Sequence, residues 1–153
     1  MPSCHSEAHN LRKQVSTLSA FGKRALQSDD INGLLQEATR LVSDALDVDL
    51  VKVLELLAEG ENLLLRAGVN WNPGVVGHAE IPAHEGSPAG YALHTNQPVI
   101  TEDTERETRF EIPKLLIEHG VRSTSMLLFA ARTAPLVCWR SIRGSCGNSS
   151  RTI

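Results

Sequence analysis

The chain has 153 residues, 41% of them hydrophobic, with 15 basic and 18 acidic side chains, which suits one globular domain whose core needs no disulfide or metal to hold it. The charge is unevenly spread: 11 basic against 18 acidic residues through Thr124, then four arginines and no carboxylate from Ser125 onward. A net −7 over the first stretch excludes a general nucleic-acid binder, which needs a basic face. Three cysteines at the two ends, Cys4, Cys138 and Cys146, form no disulfide framework and fit a reducing cytoplasm. The longest apolar run, Met126 to Ala131, is far shorter than the roughly 18–20 residues of a membrane span, and the N-terminus lacks the apolar centre of a signal peptide. The chain reads as soluble and cytoplasmic.

Residues 1–9 are polar and expected to be a flexible N-terminus. From Asn10, Leu11, Val15, Leu18, Phe21 and Ala25 recur at three- and four-residue steps, which predicts a helix over 10–27 with one apolar stripe. Leu11, Leu18 and Ala25 are seven apart, so that stripe also fits a two-heptad dimer seam. Ser28, Asp29 and Asp30 then supply cap candidates for an amphipathic helix, INGLLQEATRLVSDAL. DLVKVLELL and LLLRAGV flank the Gly/Asn turn EGEN and predict a β-hairpin. NWNPGVVGHAEI is a loop entering a short strand. Ser87 followed by Pro88 predicts a capped helix to about His94, and PVIT a strand. A long charged loop, EDTERETRFE, leads to IPKLLIEHG, a short helix with Pro113 in its first turn and Gly120 as C-cap. VRST begins another strand. The order describes an α+β domain, a sheet with helices covering at least one face.

Three segments in this order, AGVNWNPGVVGHAEI, SPAGYALHTNQPVI and RFEIPKLLIEHGVRST, resemble the GAF sensory domain, and the resemblance spans residues 28–124. It implies a PAS-related antiparallel sheet with flanking helices on one face and a small-molecule pocket on the other. It also implies end helices that pair two subunits, as in the sensory GAF domains of bacterial sensor histidine kinases in two-component systems.

The family pattern further implies an inner strand of Val-Asn-Val type after Thr124, then a central strand resembling Phe-Gly-Val-Leu-Glu-Val-Asp-Ser. Neither is spelled in this chain. Taking the last base of each codon with the first two of the next, Leu136 onward permits Gly-Val-Leu-Glu-Val-Asp-Ser-Arg. Only the leucine at the Cys138–Trp139 joint is forced. Residues 125–153 therefore read as an aberrant, frame-shifted tail that carries no site, leaving the sheet incomplete, with an unpaired edge and poor solubility. Nucleotide sequencing across Ser123–Ser125 tests this: codons unable to spell the shifted strands would refute it.

Among chemistry-bearing residues, Trp71, Tyr91, His94, Arg109 and Phe110 form the candidate ligand-binding set: apolar walls with a few polar anchors, Arg109 being suited to a carboxylate or phosphate. Trp71 and Phe110 also fit a place in the core, and His94 a packing role. His119 reads as a cation or cap at a helix C-terminus. The run Glu102, Asp103, Glu105, Glu107 reads as a solvated loop rather than a cation site. His5 and His9 share a helical spacing but lack a third ligand, so no metal site is expected. Cys4-His5 is similar to the bilin-attaching pair of some photoreceptor GAF domains but lies outside the domain, so no covalent bilin is expected; the cofactor is unknown. The enzymatic GAF family, the free methionine sulfoxide reductases, needs a nucleophilic cysteine, and none occurs from His5 to Val137. The resemblance thus points to a non-catalytic sensory domain that binds an unknown small molecule and acts as a homodimer through its N-terminal helix. The alternatives are a ligand-free dimerisation scaffold, or a bilin- or haem-binding photo- or redox sensor.

Overall fold

The computed structural model describes the backbone of residues 4–130 and 135–143, and the side chains of Arg12 and residues 15–127. Helix α1 spans Cys4–Gln27 and α2 Ile31–Leu46; strands β1 (Leu50–Leu56) and β2 (Asn62–Val69) make a hairpin, followed by β3 (Glu80–Pro82). Helix α3 (Pro88–Thr95), β4 (Val99–Thr101), α4 (Lys114–Glu118), β5 (Val121–Ala130) and β6 (Pro135–Arg143) complete the order. All strands join one sheet, β3-β2-β1-β6-β5-β4, and all its pairs are antiparallel.

Local signals act where the sequence placed them. Asp30 caps α2, its carboxylate accepting from the Gly33 N–H, and Asp47 ends the helix in the left-handed region. Ser87 accepts from the Gly90 N–H with Pro88 in the first turn of α3, while its own hydroxyl is within donating distance of the main-chain oxygens of Pro82 and His84. Gly60 in the hairpin turn and Gly120 after α4 have positive φ, as a tight turn and a helix end need. The helix α1 begins at Cys4, earlier than the apolar stripe predicts, because a polar stretch can continue a helix without adding to its buried face.

Strand parity divides the sheet into two faces. Leu50, Leu54, Leu63 and Leu65 belong to one buried cluster with Ile81, Ala89, Ala92, Leu116 and Met126, so α3 and α4 cover that face. Val51 and Val53, also buried, have the opposite parity and face α2, which packs on β1 and β2. A bulge where Leu54 pairs with Leu65 and Val53 with Ala67 leaves Arg66 as the extra residue of β2. The free edge of β2 beyond β3 is closed by α2: the Gln36 amide donates to the Gly68 carbonyl at 2.7 Å and accepts from its N–H at 3.2 Å.

One expectation is corrected. The edge of β1 away from β2 is not open. Residues 135–143, read from sequence as part of the aberrant tail, lie between β1 and β5, with Lys52 opposite Trp139 and Met126 opposite Trp139 on the other side. Main-chain pairing is indifferent to side-chain identity, so a strand can occupy this place in either reading frame. The codons of the gene, rather than the sheet, distinguish the two.

Candidate ligand-binding site

Four of the five residues predicted for the site fall into two groups, one around Trp71 beside the sheet and one between α3 and the loop after β4. The first is built around Trp71, just after β2. Its indole N–H donates to the Val51 carbonyl at 2.9 Å, which lays the ring across β2 at Gly68. A methyl group at Gly68 would come within 2.5 Å of the indole Cδ1 and 2.9 Å of the Val51 oxygen, so only glycine leaves room for the ring there.

The His119 ring packs against the indole at a tilt of 57°, its centroid 4.7 Å from that of Trp71. Its Nδ1 lies 2.7 Å from the Leu115 carbonyl and its Nε2 3.1 Å from the Asn72 N–H. Those partners, from which the tautomer is assigned, fit a neutral ring with its proton on Nδ1. The residue caps α4, as the sequence implied, but as a buried bridge to the loop 70–79 rather than as a cation interacting with the helix end.

Lys52 is the side chain that the sequence reading did not single out. It lies between Leu50 and Leu54 on β1, is 0% exposed, and holds its ammonium nitrogen 5.3 Å from the Trp71 ring centroid. Burial pushes its pKa well below the ordinary 10.5. A folded-state pKa below the unfolded one means the unfolded chain binds more protons between the two values, so this group weakens folding below that window and ceases to do so as pH rises towards 10.5. The signal was present in DLVKVLEL: a lysine at a position whose neighbours two before and two after are core leucines.

The second group joins α3 to the loop after β4. Tyr91 and Phe110 rings meet at 5.2 Å, and the Arg109 guanidinium lies 5.1 Å from the Phe110 centroid. Arg109 is already engaged: Nε and Nη2 reach the two carboxylate oxygens of Glu107 at 3.0 and 2.6 Å, and Nη2 also donates to the Ile100 carbonyl at 2.9 Å. This pair pins the loop to the outer edge of β4, which would otherwise expose unpaired main-chain groups. His94 is exposed on α3, and its Nδ1 lies 2.7 Å from the Gly90 carbonyl of its own helix. Among the described residues, no hydrogen bond, ion pair or ring contact joins it to the other four. Trp71 and Phe110 both pack against the leucine cluster, which is what the two groups share.

Three of the four acidic side chains of the run are matched by arginines. Asp103 faces Arg106, Glu105 pairs with Arg122 and Glu107 with Arg109. No group of three metal-ligating side chains occurs among the described residues. The hydrogen bonds from Arg109, with a smaller contribution from Thr101, pull the Glu107 carboxyl down to about 2, against the desolvation that raises it. A depressed carboxyl adds stability above its unfolded value near 4.5, lost as pH falls towards 2. Glu107→Gln is therefore expected to flatten the acid limb of the stability curve in that window. At neutral pH the same change should lower the melting midpoint by only about 2 °C, since the partner Arg109 is largely exposed. Thermal melts at pH 2.5, 4.5 and 7 check both.

His5, His9 and Cys4 lie outside the described side chains, as do Cys138 and Cys146. No helix among the described residues is long and apolar enough to cross a membrane.

Comparison with known proteins places this geometry. The profile of the GAF domain family matches residues 30–132. Similar solved structures include the GAF domain of an Acinetobacter phosphoenolpyruvate-protein phosphotransferase, 22% identical over 86% of this chain and 77% of that one, with a TM-score of 0.67. The free methionine-R-sulfoxide reductase of Neisseria meningitidis, solved with its substrate, is 13% identical over 84% and 72%, with a TM-score of 0.64. A phycoerythrobilin-bound GAF domain of a cyanobacterial phytochrome is 16% identical over 89% and 84%, with a TM-score of 0.64. A search of curated protein sequences finds no match. At these identities the structures establish a shared fold; with the family profile covering more than half of the sequence, the chain belongs to the GAF domain family.

Proposed function

We propose that this GAF domain is a non-catalytic sensory module that binds a small molecule on the sheet face lined by Trp71, Tyr91 and Phe110. Binding would be relayed through a helical homodimer to an output domain of a bacterial signalling protein, of sensor histidine kinase type. The observation that carries the reading is the packing of Trp71 and Phe110 against the leucine cluster opposite α2, with the exposed Tyr91 ring of α3 5.2 Å from that of Phe110, where apolar walls and a few polar groups can enclose a ligand. Among relatives of this fold, the Neisseria reductase holds its substrate and the phytochrome domain holds a bilin. The first chemistry needs a thiol, and the core carries none between His5 and Val137, so binding without turnover is the reading that fits.

The relay rests on α1. Val15 and Leu18, on its apolar stripe, are 61% and 66% exposed, and among the described residues α1 contacts α2. A stripe left open at heptad spacing is what a paired helix needs. The same stripe also supports the second reading, a scaffold that dimerises without a ligand. Sedimentation velocity on the full chain should show a dimer that Leu18→Glu converts to monomer without loss of helicity; a concentration-independent monomer in the unsubstituted protein would refute the dimer relay. A shift in the dimer's stability on addition of a small-molecule extract separates sensing from scaffold.

A further inference from the structure

We infer that a second copy of this chain pairs with α1 in parallel and in register, so that Leu26 of each copy packs against Phe21 of the other. This deepens the homodimer proposed above and rests on it.

The seam is set by heptad spacing. Within α1, Val15 and Gly22 hold one core position of the repeat, and Leu11, Leu18 and Ala25 hold the other. Valine at the first and leucine at the second is the pattern of a parallel two-stranded pair. Arg24 pairs with Glu37 of α2 at 2.9 Å, which turns that side of α1 inward. Phe21, three residues before Arg24 and therefore on the same side, is half-buried. Val15, Leu18, Gly22 and Ala25 are exposed, so the seam points away from the contact with α2.

The residues flanking the seam decide its direction. Leu26 sits beside the seam on the flank away from Phe21 and is 90% exposed. Together with Val15 and Leu18 it widens the apolar stripe that the single chain leaves in water. In an antiparallel pair this flank meets the same flank of the other copy, whose remaining members are His5, Arg12 and Ser19. Leucine would then lie against polar groups. In a parallel pair in register it meets the opposite flank, one heptad earlier, and the residue at that position is Phe21. Two heptads before Leu26, the same rule sets Arg12 opposite Glu7, and charges at these flanking positions fix orientation in paired helices. Each match occurs twice in a symmetric dimer. Parallel pairing thus joins apolar to apolar and acid to base.

The test uses the full chain. With oxidised glutathione to take up the two electrons as two thiols join, Gly22→Cys in the middle of the seam should link the two copies. Peptide mass mapping separates that bond from any made by Cys4, Cys138 or Cys146. In sedimentation equilibrium, Leu26→Ala should weaken the dimer about tenfold with helicity unchanged, since alanine is the better helix former. Arg12→Glu should also weaken it about tenfold, and adding Glu7→Arg should recover most of that loss. A dimer that does not link at Gly22→Cys, that Leu26→Ala leaves as tight, or in which the double reversal is no tighter than Arg12→Glu alone would overturn the parallel pairing while the dimer reading stands. A monomer at every concentration would overturn both.

Discussion

Gly90→Ala is expected to lower the stability of the domain by about 3 kcal/mol or more, placing it among the most damaging single-methyl additions the chain can undergo. Gly90 is buried in α3, and a methyl group there would overlap the main-chain oxygens of His84 and Ala83. Main chain cannot rotate away as a side chain can. Relief would require α3 to lift from the β3–α3 turn, breaking the Ser87 contacts to Pro82 and His84 and opening the cluster around Ala89 and Ala92. Because α3 carries Tyr91, the same lift would displace the Tyr91–Phe110 pair. Urea unfolding should show a lower midpoint with an unchanged slope. Gly22→Ala, where nothing lies within 4 Å of the added methyl in the exposed helix α1, should instead be neutral or slightly stabilising.

Trp71→Ala is expected to cost about 3 kcal/mol, although the residue is only partly buried. The indole joins three parts of the fold: the sheet through the Val51 carbonyl, the end of α4 through its tilted contact with the His119 ring, and Lys52 through its face. Removing it leaves the Val51 oxygen without this donor and opens space above Gly68, so the loss combines a cavity with a broken buried hydrogen bond. Trp71→Phe keeps the ring and loses the N–H, and should cost about 1 kcal/mol. Chemical denaturation of the two variants against the parent gives both values, and equal costs would show that the hydrogen bond, not the ring, is what matters.

Much of this fold could be seen in the sequence where the signal is local. Ser87-Pro88 marked the start of α3, Asp30 the start of α2, and EGEN the hairpin turn, because capping and turn chemistry depend on residues within a few positions. What could not be seen depends on distant partners. Gly68 looks like any strand glycine until the Trp71 ring is placed over it. Glu107 looks like one more charge in an acidic loop until Arg109 folds back on it. Arg109 and Phe110 do meet Tyr91, but His94 turns to its own helix and Trp71 stands with Lys52 and His119. Lys52 was missed because its neighbours Val51 and Val53 are apolar too, so the strand reads as a nearly continuous buried run with no alternation to expose the odd residue. The start of β5 was legible in VRST, but its continuation past Thr124 and β6 were missed: a family pattern sought in side chains does not register a strand held by main-chain pairing.

The central claim is that the face bearing Trp71, Tyr91 and Phe110 holds a small molecule. Native mass spectrometry of the full chain, purified without denaturant, tests it most directly. A dimer carrying a discrete extra mass of a few hundred daltons or less per protomer, released on denaturation, is expected. A bare mass in every preparation, with no small-molecule extract able to raise the melting midpoint, would contradict it.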